Sequence, residues 1–213
     1  MHPIRIAMIL SLVLLACGDS AESFKPVKRD GTSTAEDLLI EDADGNAILS
    51  LTNSGSRITA VLTTRSDRRT FTMNTGTPNM KIREDGTNIA EIKVQEYGFK
   101  VYNADDNLRY KVKYYADEEK VKISTDEEGS NPFQIYYRDS QTSNRMKVKF
   151  HENEVGSIKY YPDTGKTKVK DRYDREICVN AQEHFSIMYG LMLSDIPENY
   201  RTFIMMQMYH NGE

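Results

Sequence analysis

The residues able to do chemistry in this 213-residue chain are few, and their spacing suits few reactions. The four histidines are His2, His151, His184 and His210, and none stands at ligand spacing from another His or from a Cys. There is no HExxH and no CxxC, so a zinc site has no support. Gly165-Lys166-Thr167 has the ending of a phosphate-binding loop, but that pattern needs a glycine where Tyr160 stands, and Asp163-Thr164-Gly165-Lys166 reads as a hairpin turn. Asp42-Ala43-Asp44-Gly45 has the look of a calcium loop, yet its first ligand position falls on Ile40. No Gly-x-Ser-x-Gly elbow occurs. The paired acids Asp105-Asp106 and Glu127-Glu128 sit in turn clusters, where solvation accounts for them. No catalytic residue, metal ligand or cofactor is implied, and the chain is expected not to be an enzyme.

Two features remain. The first is Cys17, which closes a segment with the layout of an export signal. Arg5 gives a positive start, and Ile6 to Leu15 is apolar apart from Ser11. That run is too short for a membrane-spanning helix and the right length for a signal core. It ends in Leu14-Leu15-Ala16-Cys17. This segment resembles the bacterial lipoprotein signal, whose box ends in a small residue and a cysteine. The resemblance implies cleavage after residue 16, a diacylglycerol anchor on the Cys17 thiol, and a further acyl chain such as palmitate on the new amino terminus. Two or three chains give stable anchoring where one does not. Gly18, not Asp, follows Cys17. In the sorting rule of such proteins this favours the outer membrane over the inner, with the domain facing the periplasm. Cys178 is then the one thiol left, which leaves no intramolecular disulfide, and its apolar neighbours suggest a buried small hydrophobe.

The second feature is a set of lysines. Lys111, Lys113, Lys147, Lys149, Lys159, Lys168 and Lys170 fall on the outward beat of neighbouring β-type runs, with Tyr115, Tyr161 and Tyr173 nearby. Such a face could meet anionic lipid head groups or an acidic envelope polymer. Exposed lysines also solubilise sheets and block edge pairing, which is the blander account.

The elements that must position these lysines are strands. From Asp37 to Asp171 short β-type runs alternate with turn clusters such as Asp42–Asn46, Asn53-Ser54-Gly55, Asp85-Gly86 and Asp105-Asp106-Asn107. In Tyr110-Lys111-Val112-Lys113-Tyr114 and Met146-Lys147-Val148-Lys149-Phe150 the apolar residues take alternate places, which sets one face in and the lysines out. About twelve strands are expected, enough that the sheet must curl or close. Two helices are expected at the C-terminal side. Residues 181–193 are apolar nearly all round from Phe185, the mark of a buried helix. Residues 197–209 follow an Asp195 cap and Pro197, with Tyr200, Phe203, Ile204 and Met208 on one face.

The chain therefore divides into a signal at 1–16, a lipidated cysteine and polar tether at 17–36, and one β-rich domain at 37–213. Composition agrees. There are 28 Lys+Arg against 32 Asp+Glu, and the excess of acid lies in residues 18–45, so no global nucleic-acid footprint exists. A β-meander followed by an apolar helix is similar to the tubby-like superfamily, which includes the phospholipid scramblase and LURP-one-related proteins. The likeness is carried by Gly98 to Leu108, by Phe185 to Leu193 and by Asp195-Ile196-Pro197-Glu198-Asn199-Tyr200-Arg201. It implies a helix running through a closed barrel and an association with membrane lipid, and it supplies no catalytic residues. The alternative fold is another barrel or sandwich with the helix packed outside. The function expected is non-catalytic binding of envelope components or lipid. The alternatives are a barrel enclosing a small apolar ligand, or an enzyme with a dispersed site.

Overall fold

The computed structural model describes residues 37–115, 118, 120–129, 134–138, 145–180 and 191–211. Fourteen strands follow one another along the chain. They are β1 (Leu38–Asp42), β2 (Ala47–Asn53), β3 (Arg57–Thr63), β4 (Arg68–Asn74), β5 (Asn79–Glu84), β6 (Thr87–Gln95) and β7 (Gly98–Asn103). Then come β8 (Leu108–Tyr115), β9 (Lys120–Ser124), β10 (Gln134–Arg138), β11 (Arg145–Phe150), β12 (Asn153–Tyr161), β13 (Lys166–Asp171) and β14 (Glu176–Asn180). A single helix, α1 (Glu198–Asn211), follows them.

Every strand pairs antiparallel with the next, and β1 pairs with β14 through Glu41 with Val179 and Asp42 with Cys178. That two-residue seam closes the meander into a barrel. About twelve strands were expected, and fourteen form. One of the additions, β14, lies beyond Asp171, where the meander was expected to stop, and it is the strand that makes closure available. Hairpin turns form where Asx and glycine chemistry called for them. Asp42 accepts backbone hydrogen bonds from Asp44 and Asn46, and Asp85 and Gly86 both take positive φ between β5 and β6.

The strands alternate as their sequences require. Tyr110, Val112 and Tyr114 point inward from β8, and Met146 and Val148 from β11, with lysines between them outside. At Gly98 a side chain is impossible, because a Cβ would lie 2.0 Å from the Val112 carbonyl oxygen, at a φ of +146° that only glycine tolerates well.

The inward residues close around α1. Thr202 to Tyr209 are eight consecutive residues, all buried. No open-faced packing buries a helix on every side, so α1 runs inside the barrel. Phe203 meets Phe71 of β4 edge to face, with centroids 5.2 Å apart, and Tyr200 packs edge-on against Phe203 and tilted against Tyr110 of β8. Near the other end of the helix, Gln207 donates to Asn211 (2.8 Å), and Asn211 donates to the Tyr114 hydroxyl (3.3 Å). Phe203, Ile204 and Met208, expected on one face with Tyr200, are buried together with their neighbours from Thr202 to Tyr209, because enclosure covers the whole circumference. Of the expected helix 181–193, residues 181–190 lie outside the described residues. Leu191 to Leu193 form a short 3₁₀ turn, with Leu191 fully buried.

Truncating Phe203 to Ala removes the ring on which this aromatic cluster turns. It should cost about 3–5 kcal/mol, read as a lower urea midpoint. His210 is half-buried, and burial pushes its pKa below the ordinary histidine value. The unfolded chain then takes up the proton more readily than the folded one. Stability is full above the ordinary histidine range and falls as pH drops through it. His210→Gln should flatten that fall in denaturant titrations between about pH 7 and pH 5.

Candidate functional site

The seven lysines singled out from sequence all lie on the outer wall of one arc of the barrel. Lys111 and Lys113 are on β8, Lys147 and Lys149 on β11, Lys159 on β12, and Lys168 and Lys170 on β13. These strands are contiguous through β9 and β10. The strand composition shows how one-sided the wall is. From β7 to β13 the strands carry fourteen Lys or Arg and two acids, whereas β14 and β1–β6 carry six and five.

Register adds what sequence reasoning missed. Arg145 of β11 stands opposite Lys159 of β12, and Lys159 stands opposite Lys168 of β13. Lys93, Lys100 and Lys111 form a second transverse row across β6, β7 and β8. Lys113 of β8 faces Lys122 of β9. Like charges directly opposite one another repel, so these rows weaken the sheet that carries them. The outward beat alone would have found Lys93, Lys100, Lys120, Lys122 and Arg145. Their alignment into rows needs the pairing register.

Acids answer some of these charges. Lys93 meets Asp106 at 2.7 Å, Lys100 meets Glu127 at 2.6 Å, Lys168 meets Glu176 at 2.6 Å and Lys170 meets Asp174 at 3.0 Å. The hydrogen bond from Asp106 raises the Lys93 pKa, and that from Asp174 raises the Lys170 pKa, so both stay charged. Lys120 pairs with Glu118, and Arg145 and Lys147 lie 3.8 and 3.9 Å from Glu154. Among the described residues, Lys113, Lys122, Lys159 and Lys166 have no acid within ion-pair distance. Three of these four lean on rings instead. Lys113 and Lys122, with Lys120, surround the Tyr115 ring at 4.7–5.4 Å, and Lys159 lies 4.9 Å from the Tyr161 centroid.

The tyrosines separate. Tyr115 and Tyr161 close β8 and β12 at the barrel end where β1 begins. Tyr173 sits in the β13–β14 turn at the opposite end, exposed and flanked by Arg172 and Arg175. Over β13 the wall forms an open groove of about 510 Å³ lined by Tyr161, Lys166, Lys168, Lys170 and the two paired acids.

Elsewhere the chemistry is quiet. A cleft of about 500 Å³ opens at the mouth where α1 begins, with Leu49, Leu62, Met192 and Met205 beneath Arg65, Glu198, Arg201 and Asp42. Among the described residues no three His, Cys, Asp or Glu side chains are grouped to hold a metal ion. No described helix is long and apolar enough to cross a membrane. Cys17 lies outside the described residues. Comparison with protein-family models, with curated proteins and with solved structures gives no match for this chain.

Cys178 is 1% exposed on the inner side of β14, and burial pushes its thiol up to about 12. It is a core residue, as its sequence context suggested, and thiolate chemistry is closed to it near neutral pH. A chromogenic disulfide reagent should leave Cys178 untouched in the native protein and titrate it fully in denaturant.

Proposed function

We propose that this chain is a lipid-anchored protein of the bacterial envelope whose β-domain works by binding anionic material, not by catalysis. The observation that carries the reading is the segment Met1 to Cys17, with a positive start, a short apolar core and Leu14-Leu15-Ala16-Cys17 at its end. An acylated Cys17 would hold the domain at a bilayer, and Gly18 favours the outer membrane. Residues 18–36 are polar and read as a tether; at 5–6 Å × √n they reach roughly 25 Å.

Two features of the fold support a binding role. The interior is occupied by α1, which works against a barrel enclosing a small apolar ligand. The strands β7–β13 carry a marked excess of cations, the property that draws oppositely charged surfaces and polymers. The tether would lead into β1 at the end where Tyr115 and Tyr161 sit, so the basic wall would stand within reach of the anchoring membrane. An antiparallel barrel enclosing a helix is also what the tubby-like resemblance implies. Membership of that superfamily is part of the proposal.

In a Gram-negative host, the Cys17→Ala chain should lose acyl label in a palmitate-feeding experiment and move from the membrane pellet to the soluble envelope fraction. Unchanged fractionation with no label lost would overturn the lipoprotein reading.

A further inference from the structure

The barrel is polarised along its axis. Consecutive strands alternate in direction, so at the end where β1 begins every odd strand begins and every even strand stops. In the three strand residues nearest this end there are thirteen Lys or Arg and no acid. In the three nearest the far end there are seven Lys or Arg and six acids. The connecting segments add six acids at the near end and ten at the far one. Ion pairs follow the same axis. Asp106, Glu127, Glu154, Asp174 and Glu176, which pair with lysines of β6 to β13, lie in far-end turns or in the first two residues of strands that start there. Glu118 answers Lys120 from the near end. Lys113, Lys122, Lys159 and Lys166, the lysines of this wall with no acid within ion-pair distance among the described residues, all lie within three residues of the near end.

Tyrosine collects at the same end. β8 closes on Tyr114-Tyr115, β12 closes on Tyr160-Tyr161, and β10 carries Tyr136-Tyr137 just before its last residue. In register, Tyr115, Lys120, Tyr137 and Lys147 make one row across β8 to β11, and Tyr161 stands opposite Lys166. Of the exposed large apolar side chains among the described residues, Leu39, Val94 and Tyr97 are at the near end and Tyr173 is at the far one. Rings and ammonium groups at one level are what a membrane interface selects. A tyrosine has an apolar body and a polar tip that suit the headgroup layer, and a lysine lays its stem along apolar matter while its ammonium reaches phosphate. A soluble polyanion would use the lysines and offer the rings no apolar phase. The chain itself points the same way, because residues 18–36 join β1 at this end and lead back to Cys17.

We infer that the near end of the barrel, from β6 to β13, is a membrane-docking face that seats end-on upon the anionic phospholipid surface holding the anchor. The inference rests on the lipid anchor proposed above and adds the orientation of the domain and its lipid requirement. Tethering keeps the face at high local concentration over the bilayer, so modest charge contacts suffice. The acidic far end, with the mouth cleft and Tyr173, is turned away from the membrane.

The chain contains no Trp, so a single introduced Trp reports its own surroundings. Full-length protein from a Gram-negative host carries either Tyr161→Trp at the docking face or Tyr173→Trp at the far end. Each is reconstituted with excess vesicles of phosphatidylcholine, alone or mixed with phosphatidylglycerol, whose brominated acyl chains quench Trp. Emission of the Tyr161→Trp protein should fall about twofold or more in the anionic vesicles at low salt and recover as salt rises. It should stay bright in phosphatidylcholine alone. The Tyr173→Trp protein should stay bright in both, although Tyr173 is 65% exposed. Lys113→Glu with Lys122→Glu, which breaks no ion pair, should return the Tyr161→Trp signal to its phosphatidylcholine level. A thermal melt checks folding, and the Gln pair serves if the reversed pair does not fold. Equal quenching at both ends, quenching without anionic lipid, or no quenching of the Tyr161→Trp protein would overturn the dock. Binding of inorganic polyphosphate with the Tyr161→Trp protein unquenched by vesicles would assign the lysines to a polymer and overturn it too. The mass of the Cys17 peptide reads the anchor separately. Acylated protein without quenching overturns the dock and leaves the anchor, whereas quenching of an unacylated chain overturns the anchor and leaves the dock.

Discussion

The fold depends on a helix that has nowhere else to go. Thr202 to Tyr209 are buried around the whole circumference of α1, and the strands close on them. A helix suits this position because it satisfies its own backbone hydrogen bonds and asks the surrounding wall only for side-chain contact. The wall supplies Phe71, Tyr110 and Tyr114 at named points and small aliphatic residues such as Ala60 and Ala90 elsewhere. Without the helix, fourteen strands would enclose a space too wide for their own side chains to fill. The helix and the circumference of the barrel are thus matched to one another.

From this constraint the division of labour follows. The buried inner face of the barrel is committed to packing with α1, so variety in chemistry is confined to the outer face and the turns. That is where the charge has been sorted, basic along β7–β13 and acidic in the turns between them. The mouth cleft is the exception, because there the first turn of α1 brings Glu198 and Arg201 to the surface beside the β1–β2 and β3–β4 turns.

Much of this was legible in the residues themselves. Alternation in Tyr110 to Tyr114 and in Met146 to Phe150 fixed which faces point inward, and Asp85-Gly86 and Asn53-Ser54-Gly55 marked turns that formed as written. The lysine wall was visible as an outward beat. The rows were not, because alignment across strands depends on bulges such as that between Val169 and Lys170, which no single strand reveals. β14 escaped because Glu-Ile-Cys-Val-Asn is short and its pairing with β1 joins residues far apart in the chain. The character of α1 escaped for a different reason. Arg201, Thr202 and Gln207 make it look half-polar, whereas Thr202 donates to the Glu198 carbonyl and Gln207 Nε2 to Asn211, and the Gln207 Oε1 is buried without a hydrogen bond. Hydropathy pointed first to 181–193, of which 181–190 lie outside the described residues.

The order of elements along the chain has a consequence in time. Neighbouring strands pair with neighbours, so hairpins can form locally as synthesis proceeds. The segment that gives those hairpins a common interior comes after all fourteen strands. Until α1 is present the sheet has apolar residues on one face and nothing to bury them against, and the edges of β1 and β14 stay open. Folding is therefore a closing event more than a progressive one. The last of these elements to leave the ribosome is thus the one on which every earlier hairpin depends for its interior.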